Sequence, residues 1–122
     1  MDEKIVIIGN GIAGSTLALQ LAEKGAASVT LISDESSYFF SRTALMYVYM
    51  GHLTKEQLEP LSRESWDQSP IQRVKAQVSS ISSEEKKLSF RTNDGDVKQL
   101  AYDRLVIATG SRPAFYNWKG QE

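Results

Sequence analysis

The sequence contains no cysteine among its 122 residues. This absence excludes disulfide bonds, thiolate metal ligands and any cysteine-based redox step within the segment. The single histidine, His52, directly follows Gly51, and we interpret it as a surface residue near the end of a helix. We therefore predict neither a catalytic residue nor a metal site in this part of the chain.

An excess of charge of one sign and long hydrophobic runs are lacking as well. The net charge is −1, from 14 basic and 15 acidic residues that are interspersed, so nothing favours nucleic acid or an anionic membrane as a partner. No apolar run approaches the roughly 18 residues of a membrane helix. The charged start, residues 1–4, differs from a signal peptide. We expect a cytoplasmic protein without a transmembrane segment.

The first third of the chain predicts a strand, a helix and a second strand. Ile5–Ile8 is a short apolar run, as in a parallel strand that is buried on both faces. Helix-favouring residues follow from Ile12 to Lys24, and Gly25 stands where a left-handed C-terminal cap would lie. Val29–Ile32 is the second apolar run. These features predict a right-handed βαβ unit.

The remainder alternates helical and strand-like segments. Arg42–Met50 is predicted to be a helix, and short alternating strands are expected past Pro70. Residues 87–102 form a predicted hairpin around an Asn-Asp-Gly turn, and Arg104–Gly110 is an apolar strand that leads into a turn of small residues. The predicted fold is therefore α/β: a Rossmann-like parallel sheet with an inserted antiparallel β-meander.

The turn after the first strand has the spacing of a dinucleotide site. Gly9, Gly11 and Gly14 give G-x-G-x-x-G, where the glycines permit a tight turn, close approach of a pyrophosphate and close packing of helix on sheet. The following helix would offer its N-terminal N–H groups to the phosphates. The alternative interpretation is that the glycines only form the turn.

An acidic residue follows at the expected distance. Asp34 lies twenty positions after Gly14, just beyond the second strand, where a carboxylate can accept both hydroxyls of an adenosine ribose. Glu35 is the second candidate, because Asp34 falls one residue later than usual. Asp34 could instead be a solvated loop residue.

The order of elements points away from an ordinary NAD-binding domain. An NAD-dependent dehydrogenase would continue with helix–strand crossovers, whereas this chain inserts a β-meander. Three segments, "IVIIGNGIAGSTLALQLAEKG", "VTLISDESSYFFSRTAL" and "YDRLVIATGSRP", resemble the FAD-binding half of the pyridine nucleotide-disulfide oxidoreductase superfamily. The middle segment is most similar to ferredoxin or rubredoxin reductases and to reductases of the apoptosis-inducing-factor type.

The resemblance implies an enzyme, an FAD-dependent NAD(P)H oxidoreductase. In the parent protein a hydride would pass from NAD(P)H to FAD, and the electrons would then pass to an electron-transfer protein or a quinone. The resemblance also implies roles for particular residues. The pyrophosphate of FAD would be bound by the glycine turn, Gly9, Asn10, Gly11, Ile12, Ala13 and Gly14, and the adenosine ribose by Asp34 and Glu35. Arg42 would contact a phosphate or the ribityl chain, and the backbone of Val78 would contact adenine. The turn beside FAD would be Ala108, Thr109 and Gly110.

The sequence departs from the family pattern in residues that bear on mechanism and in the domains that it includes. The helix from Arg42 to Met50 carries no cysteine, so a flavin-to-thiol relay is excluded here, and Tyr47 stands where these reductases often have a lysine. We expect Tyr47 and its aromatic neighbours to pack in the core. A second G-x-G-x-x-G is missing, so residues 1–122 are expected to be the N-terminal segment of an FAD-binding domain, with the NAD(P)-binding and C-terminal domains absent. A non-catalytic dinucleotide-binding module and an NAD-dependent dehydrogenase domain are the alternatives.

Overall fold

The structure is a computed structural model that describes residues 2–25 and 27–120. Seven strands and three α-helices make up most of this part of the chain. They are β1 (Glu3–Ile8), α1 (Ile12–Lys24), β2 (Ala27–Ser33), α2 (Leu45–Tyr49), α3 (Arg63–Gln68), β3 (Gln72–Lys75), β4 (Gln77–Ser82), β5 (Lys87–Arg91), β6 (Val97–Ala101) and β7 (Arg104–Ile107), with short 3-10 helices at Arg42–Ala44 and Glu56–Leu58. No helix within the described residues is long and apolar enough to cross a membrane.

The main sheet has four parallel strands in the order β3-β2-β1-β7. Strands β1 and β2 pair in register from Glu3 with Ala27 to Ile8 with Ile32, and α1 connects them. Gly25 ends α1 in the left-handed conformation, with φ 63°. The predicted βαβ unit is confirmed.

Each face of this sheet is covered by a different layer. On one face, Ile5, Ile7 and Leu31 form a core with Ala18 of α1 and the fully buried Trp66 of α3. On the other face, alternate residues of the same strands, such as Val6 and Ile32, pack against Leu88, Phe90 and Tyr102. The central parts of β1 and β2 are largely apolar because both faces of these strands are buried.

The second layer is the predicted β-meander, an antiparallel sheet in the order β4-β5-β6. Its hairpin turns at Gly95, which has φ 87°. One boundary differs from the prediction, because the first strand after Pro70 does not belong to the meander. β3 instead pairs with β2 in parallel, with Leu31 opposite Arg73, and only β4–β6 are inserted. The α/β fold class is confirmed.

The structure differs from the sequence-based expectations in three local respects. The helix predicted over Arg42–Met50 is present as a 3-10 turn at Arg42–Ala44 followed by α2, but its aromatic residues do not pack in the core, since Tyr47 is 47% exposed and Tyr49 93%. The sequence of β7 is largely apolar, yet Ile107 is 64% exposed, because β7 is the last strand at its side of the described sheet. Helix α3 was not predicted, because Trp66 is the only apolar residue in its sequence RESWDQ.

Candidate functional site

The predicted site residues follow strands whose carboxyl ends share one edge of the parallel sheet. The glycine turn follows β1, the acidic pair follows β2 and the turn at 108–110 follows β7. Backbone hydrogen bonds carry the pairing beyond the strands, with Gly9 N–H donating to the Ile32 carbonyl (2.8 Å) and Ala108 N–H to the Ile8 carbonyl (2.8 Å). The chain passes from β1 to β2 and β3 on one side and later returns as β7 on the other side of β1, so the strand order reverses at β1. Ligands of open α/β sheets bind in the crevice at such a position.

The three glycines meet different surroundings. A Cβ on Gly9, which has φ +105°, would lie 2.2 Å from the Ala108 carbonyl oxygen, and a Cβ on Gly14 would lie 1.9 Å from the Gly9 carbonyl oxygen. A Cβ on Gly11 would have no atom within 4 Å. Gly9 and Gly14 are therefore required by the fold itself. Gly11 keeps clear a space in front of the helix.

The start of α1 has the features of an anion site. Its N-cap is Gly11, which makes no side-chain capping bond, and the first turn has no acidic residue. Ile12 is 71% exposed, and Ala13 is exposed beside it. The N–H groups and the positive end of the helix dipole are thus open to a ligand. This helix start fits the pyrophosphate of a dinucleotide.

Asn10 is turned away from this opening. It is 9% exposed, and its side-chain amide donates a hydrogen bond to the Ser36 carbonyl at 2.8 Å. The backbone carbonyl of Asn10 accepts a hydrogen bond from the Ser15 hydroxyl at 2.8 Å. The side chain of Asn10 therefore joins the glycine turn to the loop after β2.

The two acids after β2 differ in their contacts. Asp34 is exposed, and its carboxylate has no hydrogen bond or ion pair with the described residues. Glu35 forms an ion pair with Arg42, whose guanidinium also lies 5.4 Å from the ring centre of Phe40. The hydrogen bond and the charge of Glu35 raise the pKa of Arg42. Asp34 is the acid that is available to a ribose.

The side chain of Val78 packs in the second core and not against the glycine turn or Asp34. Val78 pairs with Phe90 across the meander, and its side chain is half-buried. Ala108 is half-buried against the glycine turn, and Thr109 and Gly110 are exposed beyond it, with Gly110 at φ +74°.

A cavity of about 270 Å³ lies beside the loop after β2, and most of the residues that line it were not singled out by the sequence. Tyr38 and Arg73 line it, together with Asn10 and Ser36. Arg73 comes from β3, and its pairing partner Asp67 comes from α3. No motif could have indicated this group, since its members are distant in sequence and their residue types are common.

Comparison with known proteins agrees with this geometry. Residues 3–122 match the family described as pyridine nucleotide-disulphide oxidoreductase. The chain is 33% identical over 115 residues to a probable ferredoxin reductase, CtmF, of Castellaniella defragrans, which covers 92% of this chain and 27% of that protein. It is 35% identical over 117 residues to the ferredoxin–NAD(+) reductase component of the biphenyl dioxygenase system of Paraburkholderia xenovorans, with the same coverage of 92% and 27%.

A solved structure shows the same fold. A chain of the covalent putidaredoxin reductase–putidaredoxin complex superposes with a TM-score of 0.80 and 30% identity, over 94% of this chain and 27% of that one. The chain thus spans about a quarter of the length of the relatives it matches.

Proposed function

Because this chain belongs to the pyridine nucleotide-disulphide oxidoreductase family, we propose that it is the FAD-binding part of an NAD(P)H-dependent flavoprotein oxidoreductase. The relatives named as ferredoxin reductases support a small electron-transfer protein as the acceptor of the whole protein. In this proposal, residues 1–122 are the N-terminal segment of the FAD-binding domain, and the NAD(P)-binding site belongs to a further part of the protein.

One observation carries the proposal: an open helix N-terminus and an unpaired carboxylate follow adjacent strands at one sheet edge. The backbone of residues 9–14 would hold the pyrophosphate, with Gly11 allowing its close approach. Asp34 would accept the hydroxyls of the adenosine ribose. When bound, FAD supplies the electron-carrying chemistry between NAD(P)H and the acceptor, while the protein holds and orients it.

The other predicted contacts with FAD involve Arg42, Val78 and the turn at residues 108–110. Arg42 is engaged by Glu35, so its contact with an FAD phosphate would require this exposed ion pair to open. Such exposed pairs contribute little to stability, about 0–1 kcal/mol, and a phosphate could compete for the guanidinium. Ala108, Thr109 and Gly110 would line the path of FAD beside Gly9, and the backbone of Val78 would contact adenine.

The test uses the protein expressed from its complete reading frame. We expect a yellow protein that releases FAD on denaturation and whose flavin absorption is bleached by NAD(P)H. Electron delivery would then be measured with a ferredoxin, with a quinone and oxygen as alternative acceptors. Purified protein without a flavin band would refute the proposal.

The same measurements separate the alternatives. A non-catalytic module would hold FAD without bleaching by NAD(P)H, and an NAD-dependent dehydrogenase domain would bind NADH in place of FAD. The cytoplasmic location stays a prediction, which cell fractionation would test.

A further inference from the structure

The loop after β2 carries the ribose-binding acid and lacks regular secondary structure through Tyr38. Three successive carbonyl groups of this loop each accept a hydrogen bond from a side chain. The Ser36 carbonyl accepts from Asn10 (2.8 Å), the Ser37 carbonyl from Arg73 (2.8 Å) and the Tyr38 carbonyl from the Ser36 hydroxyl (2.7 Å). The backbone path of the loop is therefore set by side chains rather than by a sheet or helix.

Arg73 makes further contacts around this loop. Besides donating to Ser37, its guanidinium pairs with Asp67 and lies 4.5 Å from the ring centre of Tyr38. The Tyr38 hydroxyl bonds to the same Asp67 carboxylate, at 3.1 Å and 3.2 Å. Only 20% of the Arg73 side chain is exposed, so its charge is held by these partners with little competition from water.

We propose that Arg73 is a positioning residue for the cofactor, which it serves by fixing the loop that presents Asp34. This inference rests on the proposed FAD-binding function. Arg73 lies on β3 beside β2, and Asp67 on α3 pairs with its guanidinium and accepts a hydrogen bond from the Tyr38 hydroxyl. The segment from α3 to β3 thus holds the ribose-binding loop in place from outside the glycine motif. In this proposal Arg73 acts on FAD binding through the loop that carries Asp34.

Arg63 provides a matched control. Its guanidinium lies over the same Tyr38 ring, 4.6 Å from the ring centre, but its side chain is 65% exposed and its hydrogen bonds go to Glu59. It makes no hydrogen bond to the loop backbone within the described residues. Arg63→Gln removes the same charge beside the same ring while leaving the Ser37 contact intact.

The experiment measures the dissociation constant of FAD for the deflavinated full-length protein and four variants: Arg73→Gln, Asp34→Asn, the double variant of these two, and the control Arg63→Gln. We expect Arg73→Gln to weaken FAD binding about tenfold, the scale of one lost hydrogen bond to a charged group, and Arg63→Gln to leave it unchanged. Since Arg73 acts through Asp34, the double variant should bind no more weakly than Asp34→Asn alone.

A purely structural role would give a different pattern. Arg73→Gln would then lower the unfolding midpoint of the apoprotein, and its effect on FAD would add to that of Asp34→Asn, which would overturn the proposal. Unchanged FAD affinity in Arg73→Gln, with Asp34→Asn impaired, would overturn it while leaving the proposed function intact. Failure of the unmodified protein to bind FAD would refute the proposed function, and this inference with it.

Discussion

Gly14 in the first turn of α1 lies against the backbone of Gly9 directly after β1, and this contact predicts the effect of Gly14→Ala. The added Cβ would lie 1.9 Å from the Gly9 carbonyl oxygen and 3.3 Å from the Ile7 side chain. An ordinary van der Waals contact begins at 3.4 Å, so the helix start must move by about 1.5 Å away from β1. The obstacle is backbone, which cannot change rotamer to make room.

The magnitude follows from two opposing effects. Overpacking a close-packed site costs about 1–3 kcal/mol and sometimes more, and a clash with backbone lies at the upper end of that range. Alanine in a helix interior gains about 1 kcal/mol over glycine. We therefore expect a net loss of about 2 kcal/mol in the free energy of unfolding. With a slope of about 2 kcal/mol per molar urea, the midpoint falls by about 1 M.

The assay is urea unfolding of the deflavinated full-length protein, followed by tryptophan fluorescence. Gly11→Ala is the control, because its Cβ meets no atom within 4 Å and its φ of −69° suits any residue. It should change the unfolding free energy by less than about 1 kcal/mol. If Gly14→Ala unfolded at the midpoint of the unmodified protein, the assignment of Gly14 to helix–sheet packing would be wrong.

Two further predictions concern binding and acid stability. Gly11→Val should weaken FAD binding at least about tenfold with little change in the unfolding midpoint, because the side chain enters the space left for the pyrophosphate; an unchanged titration with FAD would contradict the assigned site. The hydrogen bond from Arg63 lowers the pKa of Glu59, although burial acts in the opposite direction. This ion pair therefore stabilises the fold fully at pH values above the ordinary glutamate pKa. The stabilisation is lost as the pH falls through the lowered pKa. Glu59→Gln should therefore be less stable than the unmodified protein at neutral pH but equally stable in acid, and urea midpoints that differ equally at both pH values would disprove this.

The regular part of the fold was predictable because its signals are local. The apolar run of β1, the helical residues of α1 and the left-handed Gly25 each act within a few residues, and the structure has them in the predicted order. The meander was also predictable, since Gly95 can adopt the positive φ that its turn requires. In contrast, α3 and the parallel pairing of β3 depend on Trp66 and Val74 packing against distant parts of the chain.

The candidate site divides in the same way. The spacing of Gly9, Gly11 and Gly14 indicated a phosphate turn. Only the folded structure distinguishes Gly9 and Gly14, which the fold requires, from Gly11, which leaves space for a ligand. The sequence showed that Asp34 and Glu35 are two adjacent acids, but it could not show which of them is ion-paired. In the structure Arg42 pairs with Glu35 and not with Asp34.

The sequence by itself determined that a glycine turn joins a buried strand to a helix and that an acid follows the next strand, because backbone conformation and hydrophobic burial fix these features over short distances. Only the tertiary structure decided which side chains hydrogen-bond to the loop after β2 and fix its path. Asn10, Asp67 and Arg73 belong to separate elements, and they reach the loop only after the parallel sheet and its covering helix have assembled. Hydrogen bonds and ion pairs act over a few ångströms in space, whatever the separation of their partners along the chain.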